Sequence, residues 1–141
     1  MDKSLTLEES VLGWARKLYD GAVDHKDAAG FAAVFAPDAW LRFGNAAPVV
    51  GRDAIRVAIA DFFSAFVSLR HEAQGNWFVG DTLILEARVT YTRHDGAIVT
   101  VPAVTIFRLA GTEAGTGVPL PPMATECRIY VDLTPLFAPA L

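Results

Sequence analysis

The first half of the chain carries apolar residues at the three- to four-residue spacing of a buried helix face. Thr6 and Glu9 match a capping box, which predicts that a helix begins there. A second, short helix is predicted to begin after Asp27 and to end at Pro37, and a third is predicted over residues 53–66. The apolar faces of these helices are Leu7, Val11, Trp14, Leu18 and Ala22, then Phe31, Val34 and Phe35, then Ile55, Ile59, Phe62, Phe63 and Phe66. We expect the first two helices to form a hairpin.

From about residue 70 the apolar residues alternate with polar ones, which is typical of strands with one buried face. Turn sequences at Gly80-Asp81 and His94-Asp95-Gly96 predict that the first three of these strands form hairpins. The strands are predicted over 70–79, 82–93, 98–109 and 125–133, after a shorter extended segment over 39–43 and a loop over 44–51. In the second strand Leu83, Leu85, Ala87, Val89 and Tyr91 share one face, and in the third Val99, Val101, Ala103, Thr105 and Phe107 do.

Three helices followed by a strongly curved antiparallel sheet make an α+β layout. One domain over residues 1–141 is predicted, because a chain of 141 residues can bury one core and rarely divides into two. A curved sheet wrapped around the helices leaves a conical interior, which gives a place to the 52% of residues that are hydrophobic. The Gly- and Pro-rich segment over 110–125 is longer than a hairpin needs, and it is predicted to be either a lid or a surface loop.

Composition and charge exclude several classes of protein. A net charge of −4 with scattered Lys and Arg argues against nucleic-acid binding, and a single Cys argues against a disulfide framework. The N-terminal ten residues lack the apolar core of a signal peptide, and no run approaches the roughly 18 apolar residues of a membrane span. We therefore expect a cytoplasmic protein. Metal-ligand spacing, a nucleophile elbow and a phosphate-binding Gly loop are not found in the sequence, so neither a metal nor a cofactor is expected.

Several short motifs, taken in their order and spacing, resemble one family. They are the run from Asp27 to Trp40, the run from Gly51 to Ile55, the turns at Gly80-Asp81 and Asp95-Gly96, and the run from Arg128 to Leu136. Over nearly the whole chain they resemble the SnoaL-like branch of the nuclear transport factor 2-like superfamily. The resemblance implies a cone-shaped, cystatin-like α+β barrel, a homodimer formed through the convex sheet face, and a pocket for a small apolar or polyketide-like molecule. Superfamily members include ketosteroid isomerase, scytalone dehydratase, limonene epoxide hydrolase and polyketide cyclases, so the fold leaves the function open.

Ketosteroid isomerase provides the first set of candidate residues. The spacing from Tyr19 to Phe35 is similar to that of its oxyanion-hole tyrosine and the equivalent Phe, which implies that Tyr19 donates a hydrogen bond to a developing enolate or alkoxide. The alternative is a tyrosine at the core boundary whose hydroxyl bonds a neighbour. Phe43 and Thr105 stand where that enzyme has its general base and its second acidic donor. Because a benzyl group cannot accept a proton, steroid isomerisation is not expected, and Phe43 and Thr105 are predicted to line the pocket.

Limonene epoxide hydrolase resembles the chain less well. Arg88 matches one of its arginines, but Thr90 and Ile129 stand where it has acids. Its mechanism needs two carboxylates to activate a water, so that reaction is not expected. Ile129 is predicted to line the pocket. Arg88 lies opposite the apolar face of its strand and is expected to form a surface or interface ion pair near Glu86.

Two residues are candidate bases. Asp132 stands close to where SnoaL-like cyclases carry a proton-abstracting aspartate, and apolar walls would raise its pKa. Alternation places Asp132 on the face of Arg128 and Tyr130, away from the apolar face, unless a bulge reverses it. His71 stands near the catalytic histidine of scytalone dehydratase, and Asp24 occupies a place similar to that of its partner aspartate. The alternative for His71 is a structural role at the edge of a strand.

Aromatic residues complete the predicted pocket. Phe62 and Trp77 are predicted to line its wall, with core packing as the alternative, and Cys127 is predicted to be a buried apolar filler. Two functions stay open. One is a cofactor-independent isomerase, cyclase or dehydratase with Tyr19 as donor and His71 or Asp132 as base. The other is a non-catalytic ligand-binding or dimerisation module of the same fold.

Overall fold

The protein is a layer of helices packed against a curved sheet. The computed structural model describes residues 6–111 and 121–139. The helices are α1 (Leu7–Gly21), α2 (Ala28–Ala32), α3 (Arg52–Phe63) and α4 (Thr134–Phe137), with one turn of 3-10 helix at Val23–His25. The strands are β1 (Phe35–Phe43), β2 (Val49–Val50), β3 (Ser68–Val79), β4 (Thr82–Thr92), β5 (Ile98–Ala110) and β6 (Met123–Val131). None of the described helices is both long enough and apolar enough to span a bilayer.

The six strands form one sheet in the order β2-β1-β6-β5-β4-β3. The pairings are antiparallel except that between β1 and β6, which is parallel. The sheet is therefore mixed, which corrects the expectation of a purely antiparallel one. It curves around the helices without closing, so β2 and β3 remain edge strands. The predicted α+β class with a cystatin-like curved sheet is confirmed.

Side-chain caps fix where the first two helices begin. The Thr6 hydroxyl accepts a hydrogen bond from the Glu9 amide at 3.1 Å, as the capping-box pattern predicts. The Asp27 carboxylate accepts one from the Gly30 amide at 2.9 Å. α1 then buries Val11, Ala15 and Leu18 against the sheet.

The predicted end of the second helix is wrong. α2 ends at Ala32, and Phe35 begins β1, where it pairs with Ala124 of β6 and is fully buried. Pairing with β6 overrides the helical spacing, since it buries Phe35 completely. Pro37 lies where the β1 register with β6 is interrupted, and such irregularities are where strands accept proline.

Other boundaries differ less from those predicted. α3 ends at Phe63 rather than at residue 66, the short strand β2 lies within the predicted loop, and α4 was not predicted. The two ends of the segment predicted as a lid or loop belong to strands, since β5 ends at Ala110 and β6 begins at Met123. Its middle, residues 112–120, lies outside the described residues.

Alternation in β4 and β5 is as predicted. Leu83, Val89 and Tyr91 of β4 and Phe107 of β5 are buried with the helices, and Cys127 of β6 is also fully buried. The opposite face of the sheet is exposed, with 71% of Ile98 and 45% of Tyr130 accessible. That a second copy covers this face stays a prediction.

A bulge in β3 changes which side chains face inward. Ala73 pairs with Ala87 and Gly75 with Glu86, which leaves Gln74 as an extra residue. Before the bulge His71 and Ala73 line the interior, and beyond it Asn76 does. Along the edge strand β3, the bulge thus changes the inward-facing residues from odd-numbered to even-numbered ones.

Candidate functional site

Two neighbouring cavities lie between α1 and the concave face of the sheet. The outer cavity has a volume of about 280 Å³ and the inner one about 50 Å³. Both are lined by Tyr19, His71, Ala103 and Thr105, which we call the waist. A group bound at the waist is therefore in reach of a phenol, an imidazole and a hydroxyl.

The inner cavity has mainly apolar walls. Four of the five residues predicted to line the pocket line this cavity, namely Phe43, Phe62, Thr105 and Ile129. The rings of Phe43 and Phe62 lie 4.8 Å apart between centroids. The inner cavity has space for a small group but not for a ring.

Asp24 holds His71 by two hydrogen bonds. One carboxylate oxygen lies 2.7 Å from the His71 Nδ1 atom, and the other accepts from the His71 backbone amide at 3.1 Å. Both side chains are less than one fifth exposed, at 18% for His71 and 16% for Asp24. A carboxylate only accepts, so Nδ1 carries the proton when the imidazole is neutral, and Nε2 keeps its lone pair. His71 is therefore oriented as a base would be.

Lys26 fixes the turn that carries Asp24. It adopts a left-handed conformation with φ of 56°, which costs free energy for any residue except glycine. Its ammonium group donates to the carbonyl oxygens of Phe66 and Val67, at 2.8 and 3.3 Å. These bonds tie the turn to the segment that leads into β3, and so keep Asp24 beside His71.

Tyr19 lies next to His71 at the waist. Their ring centroids are 4.7 Å apart. Tyr19 as a residue is partly exposed, but its hydroxyl lies deep in the interior, and burial raises the pKa of the phenol well above its ordinary value. The nearby Thr105 side chain lowers the pKa and so opposes part of that rise. The phenol is therefore a neutral hydrogen-bond donor across the physiological range.

Asp132 lies outside both cavities, which corrects the expectation that a bulge could turn it inward. The register of β6 with β5 shifts near Thr125, and beyond that point Ile129 and Val131 line the inner cavity, so Asp132 faces outward. It is exposed, and its carboxylate accepts a hydrogen bond from the Thr134 amide at 2.9 Å. Hydrogen bonds from Thr134 lower the pKa of Asp132, the opposite of what an apolar pocket would do. Asp132 caps α4.

Trp77 is also misplaced by the sequence pattern. It is 51% exposed and lines neither cavity, because the bulge at Gln74 turns odd-numbered residues of β3 outward beyond that point. Its indole lies over Gly75, where a Cβ atom would come within 2.5 Å of the ring. Arg88 is exposed as expected, but among the described residues it forms no ion pair with Glu86.

Sequence reasoning missed the polar rim of the outer cavity. This rim consists of Arg16, Asp20, Asn76 and Glu86. Tyr19 and Asp20 lie three and four residues after Arg16 on α1, so helical spacing gave a signal for this part of the rim. Asn76 reaches the rim only because of the bulge. Within the described ranges, no three His, Cys, Asp or Glu side chains cluster as metal ligands would.

Solved structures with the same fold include several bacterial proteins. A protein assigned as a SnoaL-like polyketide cyclase from Jannaschia sp. CCS1 has a TM-score of 0.73 at 22% identity, over 99% of this chain and all of that one. ActVI-ORFA from Streptomyces coelicolor has a TM-score of 0.72 at 20% identity, over 90% of this chain and 98% of that one. A protein with a ketosteroid isomerase-like fold from Catenulispora acidiphila DSM 44928, in complex with trimethylamine, has a TM-score of 0.69 at 20% identity, over 94% of this chain and 92% of that one. These likenesses show the fold.

Family membership follows from the sequence itself. No curated protein matches the chain. The model of the SnoaL-like domain matches residues 15–114, which include the waist and most of the sheet. The chain therefore belongs to the SnoaL-like domain family, within the nuclear transport factor 2-like fold.

Proposed function

We propose that this chain is a cofactor-independent enzyme that moves a proton on a small, mostly apolar molecule bound at the waist. The observation that carries the proposal is the 2.7 Å contact between Asp24 and His71, with the Tyr19 ring 4.7 Å from the imidazole. These three groups provide an oriented base, His71 held by Asp24, and a neutral donor, Tyr19, beside the cavities. The outer cavity, at about 280 Å³, lies near the lower limit of ordinary small-molecule sites.

The proposed reaction begins at a carbon next to a carbonyl group. The His71 Nε2 atom takes the proton, the C–H electron pair moves toward the carbonyl oxygen, and the Tyr19 hydroxyl donates a hydrogen bond to the developing oxyanion. Asp24 stabilises the imidazolium that forms. Return of the proton to another carbon of a conjugated enolate is an isomerisation, and its transfer to a departing β-hydroxyl is a dehydration. Attack of the enolate carbon on a second carbonyl of the same molecule is a cyclisation, in which His71 returns the proton to the alkoxide that forms.

The apolar inner wall supports this assignment. Interactions between Tyr19 and a developing charge are stronger where water is excluded. The relative from Jannaschia assigned as a polyketide cyclase supports an oxygenated, polyketide-like substrate class for this chain as well.

A non-catalytic ligand-binding module is the second candidate. It is favoured by Phe43, which stands where ketosteroid isomerase has its base and instead packs its ring on Phe62 in the inner cavity. On this reading the same cavity binds a small apolar molecule without changing it.

Replacing Tyr19 by Phe separates the two candidates. The assay incubates the protein in D₂O with 1-indanone, 2-indanone and 2-tetralone, and follows loss of the α-proton signals by NMR. We expect the wild-type protein to accelerate exchange of at least one ketone, and Tyr19→Phe to slow that exchange by about 100-fold, the usual loss for one oxyanion donor. Tyr130→Phe, on the exposed sheet face, is the matched control.

Either of two results would count against the enzyme. Equal exchange by wild type and Tyr19→Phe removes the phenol from the mechanism. Binding of these ketones without accelerated exchange favours the non-catalytic module.

A further inference from the structure

Tyr91 of β4 is a second phenol in the inner cavity, and the mechanism above does not use it. It is only 3% exposed, and it lines the inner cavity together with Tyr19. Its ring is held by edge contacts with Phe66 and Phe62, whose centroids lie 4.9 and 6.3 Å away. The position of its hydroxyl is thus set by packing.

The Tyr91 hydroxyl has no hydrogen-bond partner among residues 6–111 and 121–139. Within those residues the Arg128 Nε atom is the one fully enclosed side-chain donor or acceptor that lacks a partner. The Tyr91 hydroxyl is therefore not fully enclosed. A hydroxyl on a residue that is only 3% exposed, neither bonded nor fully enclosed, borders open space, and Tyr91 lines the inner cavity.

Leaving a buried hydroxyl unpaired costs about 1–3 kcal/mol, and native proteins rarely do so without a reason. Tyr19 and Tyr91 come from opposite sides, α1 and β4, onto a cavity of about 50 Å³. An atom placed in so small a space lies near both side chains. Tyr91 also contributes, as a minor cause after burial, to the raised pKa of Tyr19.

We propose that Tyr91 is a second hydrogen-bond donor of the site, and that with Tyr19 it binds the oxygen of an uncharged carbonyl group inserted into the inner cavity. The ligand class is then a small ketone or ester whose carbonyl end enters first. This inference rests on the proposed function in that the carbon next to the carbonyl would lie at the waist, beside His71.

The chemistry of the cavity walls selects a carbonyl over other groups. Among the described residues that line the inner cavity there is no Lys or Arg, and a charge on His71 would already be balanced by Asp24, so a carboxylate would be buried without a counter-charge of its own. A hydrocarbon would leave both hydroxyls unpaired. A carbonyl oxygen has two lone pairs and no charge, and so can accept one bond from each phenol.

The test compares 1-indanone with indane, the same ring system without the oxygen, by NMR titration. The wild-type protein should bind the ketone more tightly than the hydrocarbon. Tyr91→Phe should weaken ketone binding by about 5- to 10-fold, the loss of one hydrogen bond, and leave indane binding unchanged. Tyr130→Phe is the control that keeps both donors.

An infrared measurement on the wild-type protein tests the inference even if the Tyr91→Phe variant does not fold. The infrared carbonyl band of bound 1-indanone should shift to lower frequency relative to the ketone in hexane by more than a single phenol donor produces, and Tyr91→Phe should reverse part of that shift. Equal affinity for ketone and hydrocarbon, or an unchanged carbonyl band in Tyr91→Phe, overturns the inference. Neither readout needs turnover, so a Tyr91-dependent ketone site without proton exchange would defeat the proposed enzyme and leave this inference standing.

Discussion

Replacing His71 by Asn slows ketone α-proton exchange by about 10²–10⁴-fold, which is the contribution expected of a positioned general base. The amide nitrogen of Asn stands near the position of the histidine Nδ1 atom, so it can still donate to Asp24, while nothing remains at the position of Nε2. The interaction that joins β3 to the turn at Val23–His25 is thereby kept. A rate loss in a folded variant then reports on the base alone.

The matched control is His25→Asn, which changes an exposed histidine one residue beyond Asp24. Its exchange rate should equal that of the wild type. The assay is the NMR exchange experiment in D₂O, with thermal unfolding as the check on folding. If His71→Asn exchanges as fast as His25→Asn, His71 is not the base.

We expect the free energy of unfolding to decrease steeply as the pH rises above about 10. Burial raises the pKa of both Tyr19 and Tyr91 above the ordinary value of 10.0, so in the folded protein both phenols stay protonated where the unfolded chain ionises them. Above that pH the unfolded state binds fewer protons, and the free energy of unfolding decreases with pH. The expected slope is about 1.4 kcal/mol per pH unit for each phenol, and the stabilisation is complete below pH 10.

Urea unfolding from about pH 8 to about pH 11.5 measures this slope. The double variant Tyr19→Phe, Tyr91→Phe should lose about 2.8 kcal/mol per pH unit of it, since two ionising groups are removed. Burial also raises the pKa of the Cys127 thiol above its ordinary value of 9.0, so this group adds its own decrease in the free energy of unfolding above about pH 9. The double variant keeps Cys127 and therefore keeps that decrease. An unchanged slope in the double variant would show that the phenols are not buried as the site requires.

Local sequence patterns were sufficient to predict the buried faces of helices and strands wherever one periodicity continued without interruption. The capping box at Thr6 and the alternation along β4 and β5 predicted helix and strand faces correctly. The family resemblance, rather than these patterns, pointed to Phe43, Thr105 and Ile129 as cavity lining, and the apolar face of the third helix pointed to Phe62. Those patterns also favoured a helix through Phe35, which fails because pairing with β6, almost ninety residues further along the chain, is not visible in a local window.

The site residues show the same limit. Trp77 was predicted to line the wall because it is an aromatic residue on a strand of the sheet, but one extra residue in β3 reverses the face of every position that follows it. The shift near Thr125 has no such effect on Asp132, because it lies before Ile129 and Val131, which keep their inward face. Bulges depend on the partner strand as well as on the bulged one, and this information is absent from a single strand's pattern.

Asp24 illustrates what distant contacts add. The resemblance to scytalone dehydratase pointed to it, but only the fold brings it within 2.7 Å of His71, forty-seven positions away. The sequence pattern gives Tyr91 only as one of five positions on the apolar face of β4. Its unpaired hydroxyl becomes visible only when the surroundings of the atom are known.

The most direct test of the account is the state of the His71 imidazole in protein labelled with ¹⁵N-histidine. In spectra of the neutral imidazole, long-range ¹H–¹⁵N correlations should place the His71 proton on Nδ1, and addition of 1-indanone should shift the His71 Nε2 signal. His25 and His94 serve as internal references that the ketone leaves unchanged. A proton on Nε2 instead, or a His71 signal that does not respond to a ketone that binds, would contradict the claim that His71 is the base of this cavity.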